Sequence, residues 1–199
     1  MNDSATLELA AAAARLVVDE GMEYAAAKRR AARDSQRHGG RRAELPSNEQ
    51  LEDAVREHIA LFHAEDQPTE LQALRQVARE WMLRLAEFRP HLAGAVWRGT
   101  ATRRSAVHLD LYCDDSKATE IALINAGIDY EVQGGTGSAD GAPVLSVASR
   151  CAALNDWVTV HLTLNDLDQQ RGALKPDARG RSWRGDLAAL DRLLAGGAG

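Results

Sequence analysis

Residues 94–115 read GAVWRGTATRRSAVHLDLYCDD, and this stretch carries most of the information about the fold. From Ser105 to Cys113 apolar and polar residues alternate, which is the period of a strand with one buried face. The apolar positions fall on one face of such a strand: Val107, Leu109, Leu111 and Cys113. The other face carries His108 and Asp110. The stretch therefore predicts a strand that presents an imidazole and a carboxylate side by side.

Further elements follow this strand toward the C-terminus. Two aspartates, Asp114 and Asp115, indicate a helix start, because acidic side chains suit the N-terminal end of a helix. The pattern then predicts a helix over 117–125, strands over 128–132, 144–148 and 157–164, and a final helix over 185–195. Residues 134–141 are rich in glycine without the spacing of a phosphate-binding loop, so we expect a hairpin connection there.

The chain before this region has a different period. Residues 5–88 repeat their apolar side chains at helical spacing. We expect a first helix that bends at Gly21, a second that begins with a capping box at Ser47 and Gln50, and a third that ends before Pro90. The predicted fold class is α+β, with a helical region over 1–90 and a domain of about five strands with helices over 91–199.

The stretch from Gly94 onward resembles the signature of the polymerase-β-type nucleotidyltransferase superfamily. That signature is a glycine turn, an Arg-Gly pair, and a serine followed by two aspartates on a strand. Gly94 matches the turn, Arg98 and Gly99 match the pair, and Ser105 matches the serine. The resemblance covers about 40 residues. It implies a small mixed β-sheet with helices, and it implies nucleotide-binding roles for these four residues.

The sequence departs from the signature where that superfamily holds its metal ions. Ala95 replaces the turn serine, and Ala106 and His108 replace the two aspartates. The resemblance therefore implies a degenerate nucleotidyltransferase-like protein that retains a groove for a nucleotide or another phosphate-bearing ligand. His108 and Asp110 share a strand face and are the candidate catalytic and metal-holding residues. The expected cofactor is a divalent metal, magnesium or manganese, although an imidazole ligand also suits zinc.

Three other groups bear on ligands. Asp129 and Glu131 share a face of the predicted strand over 128–132 and offer a third metal ligand. His58 and His63 are five residues apart, so on a helix their side chains diverge and we do not expect them to share a metal. The basic segment 175–184 includes Trp183, an aromatic side chain that can stack on a base.

The charge of the chain limits its partners. It carries 24 basic and 29 acidic residues, a net charge of −5, which argues against binding nucleic acid over the whole surface. Residues 28–42 nevertheless hold seven lysines and arginines against one aspartate, so RNA is a possible partner for this patch. Arg33 and His38 within it resemble the Arg-x4-His pair of HEPN ribonucleases. An RNA-binding helical protein is therefore one alternative function.

The remaining composition is that of an ordinary globular chain. Two cysteines cannot form a disulfide framework or a four-thiolate zinc site. No apolar run reaches the roughly 20 residues of a membrane helix, so we expect a cytoplasmic protein without a membrane partner. A second alternative function is a non-catalytic interaction or regulatory module, such as a homodimer or another homo-oligomer. The apolar stripes over 51–62 and 71–85 would serve either a core or a partner.

Overall fold

The computed structural model describes residues 3–37, 44–133, 142–172, 174–175 and 180–196. These residues form two compact units. The first contains the described residues up to Thr69 together with Thr100–Ser105, and the second contains Glu70–Gly99 and the described residues from Ala106 onward. Within the described ranges there are seven α-helices and one six-stranded mixed sheet, which confirms the α+β class. No helix among them is long and apolar enough to cross a membrane.

The first unit is built from helices. These are α1 (Asp3–Glu20), α2 (Tyr24–Arg37), α3 (Asn48–Phe62) and the beginning of α4 (Gln67–Arg84). Helices α1, α2 and α3 share a core of small and large apolar side chains: Leu9, Ala13, Ala14, Val17, Ala27, Ala31, Leu51, Val55 and Ile59. The alanines allow the helix backbones to approach closely, so this alanine-rich sequence forms a well-packed core rather than a single exposed helix.

The predicted bend at Gly21 is instead a helix end. The φ angle of Gly21 is +70°, and its N–H donates to the carbonyl of Val17 at 3.1 Å. A left-handed residue of this kind closes a helix, because the chain direction changes before another turn can form. Helix α1 therefore stops at Glu20, and α2 begins at Tyr24 as a separate helix.

The predicted start of α3 is confirmed. Ser47 Oγ accepts the N–H of Gln50 at 3.1 Å, and Gln50 Oε1 accepts the N–H of Ser47 at 2.8 Å. This reciprocal pair satisfies two backbone donors that the first turn leaves without helical partners. Residues 38–43, in the connection between α2 and α3, lie outside the described residues.

The sheet of the second unit has the strand order β3-β4-β5-β2-β1-β6. Its strands are β1 (His91–Ala93), β2 (Val107–Cys113), β3 (Glu131–Gln133), β4 (Val144–Cys151), β5 (Asp156–Asp166) and β6 (Arg184–Gly185). Strands β2 and β5 pair in parallel at the centre, and the other neighbouring pairs are antiparallel. The sheet is therefore mixed, and its two central strands come from distant parts of the chain.

Helices cover the apolar face of this sheet. The face contains matched rows of buried side chains on the two central strands: Val107, Leu109 and Leu111 beside Val160, Leu162 and Leu164. Trp81 of α4 donates from Nε1 to Ser149 Oγ at 2.9 Å, which fixes α4 on this side. Arg79 of α4 pairs with Asp191 of α7 (Leu187–Gly196) at 2.7 Å. The alternation predicted for Ser105 to Cys113 is confirmed from Val107 to Leu111, whereas Tyr112 on the polar face is buried as well.

The stretch that begins at Gly94 differs from the prediction. The resemblance implies a glycine turn at Gly94. A tight turn is present, since Gly94 has a φ angle of +70°, but the residues after it form a short helix, α5 (Gly94–Arg98). Val96 is fully buried and Gly99 ends the helix with a φ angle of +82°. Burial of Val96 favours one helical turn over an open link, because it removes this apolar side chain from water.

The predicted strand over 128–132 is also wrong in its position. Strand β3 covers Glu131–Gln133, so Asp129 lies before it. Two strands, β4 and β5, separate β3 from β2. At about 4.8 Å for each of three strand spacings, Glu131 is too far from Asp110 to act as a third ligand there. The glycine-rich segment 134–141, expected to be a hairpin connection, lies outside the described residues.

Candidate functional site

In the second unit, the face of the sheet opposite the apolar face carries polar side chains. A continuous row of register partners crosses all six strands: Glu131, Ser146, His161, His108, Ala93 and Arg184. Ser146 Oγ and His161 Nδ1 are 2.9 Å apart, and the rings of His161 and His108 have their centroids 5.0 Å apart. Side chains opposite one another on neighbouring strands project to the same side. The row therefore places two imidazoles beside each other at the centre of the sheet.

Asp110 lies next to this row on the same face. The Nε of Arg184 is 3.2 Å from Oδ2 of Asp110, and Arg184 also donates from Nη1 to the Tyr112 hydroxyl at 3.0 Å. Tyr112 meets the ring of His91 edge-on, with centroids 5.1 Å apart. Since His91 is the register partner of Asp110, the carboxylate lies between an imidazole and a guanidinium. Within the described residues, Asp110 is the only carboxylate of this cluster, and Arg184 gives it a permanently charged partner.

Burial dominates the electrostatics of Asp110. Its side chain is 13% exposed, and removal from water raises the pKa of its carboxyl group above the ordinary value. Positive charge on Arg184, and to a smaller extent on His108 and His91, opposes this effect without cancelling it. Burial likewise raises the pKa of Tyr112, although Arg184 lowers it in part. Burial therefore favours the protonated forms of Asp110 and Tyr112, and the charge of Arg184 opposes this only in part.

This shift predicts a pH-dependent effect of Asp110→Asn. A raised pKa means that the folded chain holds more protons than the unfolded chain between the ordinary and raised values, so wild-type stability falls as pH rises through that window. Each pH unit of the window contributes at most about 1.4 kcal/mol. The amide side chain of the variant does not titrate, so the stability of wild type relative to Asp110→Asn should decrease from pH 3 toward pH 7.

Urea unfolding at a series of pH values measures this difference. Asp129→Asn is the matched control, because Asp129 is an exposed carboxylate of the same unit. The free energy of unfolding of wild type minus that of Asp110→Asn should fall with pH. A difference that stays constant or rises with pH would contradict the assignment of a buried, disfavoured charge to Asp110.

The residues predicted to bind a nucleotide are separated in the structure. Gly94 lies against His108, since a Cβ at this position would be 3.1 Å from Cδ2 of the imidazole. Arg98 points its guanidinium over the ring of Trp183, 5.6 Å from the centroid, and Gly99 ends α5. Ser105 belongs to the first unit, where its Oγ accepts the N–H of Thr102 at 3.0 Å. The structure thus brings Gly94, His108 and Asp110 together, while Arg98 stacks on the basic C-terminal segment.

A pocket opens beside this cluster. It has a volume of about 730 Å³ and is bordered by β1 and by the segment after β5. Its charged lining consists of three cations and one acid: Arg89, Arg171, Lys175 and Asp168. His91 also lines it, and His91 Nδ1 lies 2.9 Å from the carbonyl oxygen of Arg89. The pocket is therefore a cationic cavity that reaches the register partner of Asp110.

The residues of this cluster fit a magnesium ion poorly. Magnesium requires several oxygen ligands, whereas the cluster offers one carboxylate that already faces Arg184. In the described part of the chain, one group has three potential ligand atoms within 4.8 Å of one another, and it is Asp19, His58 and His63 in the first unit. A divalent metal on His108 and Asp110 therefore stays a prediction.

Sequence reasoning missed three residues of the cluster. His91 and His161 were not predicted to belong to this cluster, and Arg184 was placed in a basic loop rather than beside Asp110. The signal for His161 was present, because it occupies an alternating position of the predicted strand over 157–164. The pairing of that strand with β2 connects residues more than 50 positions apart, and no local pattern specifies it.

Only part of the basic patch over 28–42 lies within the described residues. On α2, Lys28 donates to the carbonyl of Pro46 at 3.0 Å, and Arg30 pairs with Glu20 at 2.5 Å. Three further arginines are exposed at a spacing of four residues: Arg29, Arg33 and Arg37. His38, the expected partner of Arg33 in a ribonuclease motif, lies outside the described residues together with 39–42.

Comparison of this chain with protein-family models, with curated proteins and with solved structures finds no match.

Proposed function

We propose that the second unit binds a phosphate-bearing ligand of the nucleotide class across its polar sheet face and the adjoining cationic pocket. The observation that carries the proposal is the pocket of about 730 Å³ that three cationic side chains surround and that His91 connects to Asp110. Cationic side chains attract phosphate groups and donate charge-assisted hydrogen bonds to them. The resemblance of residues 94–115 to nucleotidyltransferases suggests that the phosphate belongs to a nucleotide.

We expect this protein to bind without transferring a nucleotidyl group by the usual two-metal route. That route needs two carboxylates that hold two metal ions. Ala106 and His108 stand at the positions of those carboxylates, and Asp110 faces a guanidinium instead of a second acid. Magnesium or manganese could still accompany the phosphates of the ligand. The residues of this chain would then orient the ligand, with His108 and Asp110 beside it and Arg171 and Lys175 at its phosphates.

Isothermal titration of the full chain with nucleoside triphosphates tests this function. The titrations are run in EDTA, in magnesium and in manganese, so that ligand and metal requirements are separated. Arg171→Gln should weaken binding about tenfold, the loss expected for one charge-assisted hydrogen bond. Lys117→Gln, which removes an exposed charge of α6 (Ser116–Asn125), should leave affinity unchanged.

The same titration decides between this function and a non-catalytic interaction module. Absence of binding to every nucleotide, with and without metal, would overturn the proposal and favour the module, for which homo-oligomer formation stays a prediction. Equal losses in Arg171→Gln and Lys117→Gln would show that binding depends on general charge rather than on the pocket.

RNA binding by the first unit is a second candidate function. The exposed arginines Arg29, Arg33 and Arg37 lie four residues apart, so they form one stripe along α2. If each contacts one phosphate of a single strand, the logarithm of affinity should fall with the logarithm of salt concentration with a slope of about −2. Fluorescence anisotropy with a labelled RNA measures this slope. Arg33→Gln should make it shallower, and a slope near zero would exclude the stripe as an RNA site.

A further inference from the structure

Three potential metal ligands converge in the first unit: Asp19, His58 and His63. The Nε2 atoms of His58 and His63 lie 3.2 and 3.0 Å from the same oxygen, Oδ1 of Asp19. One ligand atom from each of the three residues lies within 4.8 Å of the other two. The prediction that His58 and His63 diverge is therefore wrong.

The end of α3 explains the convergence. Helix α3 stops at Phe62, and His63 has φ and ψ angles of −133° and 16°, which are not helical. The side chain of His63 therefore does not point where a helical residue five positions after His58 would point. The N–H of His63 still donates to the carbonyl of Ile59 at 2.8 Å, so the backbone of His63 is held in place.

The position of Asp19 is electrostatically unusual. It lies in the last turn of α1, which contains no basic residue, and the two histidines lie at the end of α3. The C-terminal end of a helix carries partial negative charge, so a carboxylate there is disfavoured and a cation is favoured. The C-terminal ends of α1 and α3 and the carboxylate of Asp19 therefore all contribute negative potential at the point where the two imidazoles meet.

We propose that Asp19, His58 and His63 form a binding site for a divalent cation of the zinc class, with one coordination position open to solvent. Two imidazole nitrogens and one carboxylate oxygen suit zinc, cobalt(II) or nickel(II), whereas magnesium and calcium prefer oxygen ligands. This proposal does not depend on nucleotide binding by the second unit.

The two distances from Asp19 Oδ1 to the imidazole nitrogens agree with such a site. Zinc binds imidazole nitrogen at about 2.0–2.1 Å in tetrahedral geometry, which places neighbouring ligand atoms roughly 3.3 Å apart. The two oxygen–nitrogen distances of 3.0 and 3.2 Å are close to this value. The side chains of His58, His63 and Asp19 are 16%, 34% and 40% exposed, so an ion can enter from solvent and retain a water molecule.

The competing explanation is a hydrogen-bonded cluster without metal. In that case both Nε2 atoms carry hydrogen and donate to Asp19, whereas in a metal site both present lone pairs to the ion. The two explanations predict opposite results when zinc is added. A metal that binds the folded chain stabilises it, and the hydrogen-bonded cluster alone gives no such response.

Titration of the full chain with zinc chloride after EDTA treatment tests the site. Calorimetry should give one zinc per chain, and cobalt(II) should give the visible bands of a low-symmetry site. Asp19→Asn, His58→Ala and His63→Ala should each weaken zinc binding at least about tenfold, as loss of a ligand requires. Glu57→Gln, an exposed neighbour on α3, should retain the wild-type affinity, and His108→Ala reports whether zinc binds in the second unit instead.

Absence of zinc binding by wild type would overturn the proposal, as would an affinity that Asp19→Asn and His63→Ala leave unchanged. Circular dichroism checks that the variants fold. If a histidine variant unfolds, the nearly isosteric Asp19→Asn decides the question alone. Loss of zinc binding in His108→Ala instead would assign the metal to the second unit and reject this site.

Discussion

Leu109→Ala is expected to lower the free energy of unfolding of the second unit by about 3 kcal/mol. Leu109 is fully buried on β2, and its register partners on the two neighbouring strands are Leu92 and Leu162. Truncation removes apolar contacts on both sides and leaves a cavity, because the flanking strands are held by their own hydrogen bonds and cannot close it. Urea unfolding followed by circular dichroism measures the change.

Leu83→Ala is the matched control for this substitution. Leu83 is 47% exposed on α4, in the same unit, so the same truncation there should cost less than about 1 kcal/mol. Equal losses in the two variants would mean that β2 is not the centre of the packed sheet. Since His108 and Asp110 lie on the other face of β2, Leu109→Ala tests the scaffold of the proposed ligand site without touching the polar face.

Gly185→Ala is expected to destabilise the second unit by about 2–3 kcal/mol. A Cβ at Gly185 would overlap the ring of Trp97, the nearest atoms being Cη2 and Cζ3. The ring cannot move aside cheaply, because Trp97 Nε1 donates to the carbonyl of Ser182 at 2.8 Å. Strand β6 would therefore have to separate from α5. Thermal unfolding of the purified variant measures the loss.

Gly185→Ala should also affect ligand binding, and this effect distinguishes the overlap with Trp97 from a general loss of stability. Gly185 follows Arg184, the partner of Asp110, so displacement of β6 should also weaken nucleotide binding. Gly196→Ala is the control, because no atom lies within 4 Å of the Cβ it would add. If Gly185→Ala unfolded no more readily than Gly196→Ala, the close packing of Trp97 on β6 would be refuted.

Local patterns were sufficient for much of the fold. The capping box at Ser47 and the alternation along β2 were predicted correctly, because each depends on interactions between residues close in sequence. The helix after β2 also begins where two aspartates indicated, with Asp115 Oδ1 accepting the N–H of Lys117 at 2.9 Å. Glycines were harder to interpret, since Gly21 ends a helix that was expected only to bend.

The candidate site was predictable only in part, because local patterns report interactions between residues close in sequence and not contacts between distant ones. The spacing of His108 and Asp110 places them on one strand face, and Gly94, predicted to form a turn, lies against His108. The ion pair between Asp110 and Arg184 joins residues 74 positions apart, and it follows from the addition of β6 to the edge of β1. No periodicity in the sequence specifies such an edge pairing.

By itself, the sequence determined the start of α3, the strands β2, β4 and β5, which face of β2 is apolar, and which side chains that strand presents together. Period and capping are properties of neighbouring residues, so the chain carries them before it folds. Only the tertiary structure decided that β2 pairs in parallel with β5, that Arg184 lies beside Asp110, and that two histidines meet Asp19. Each of these contacts joins residues more than 35 positions apart, and their geometry depends on the packing of whole elements rather than on any local preference.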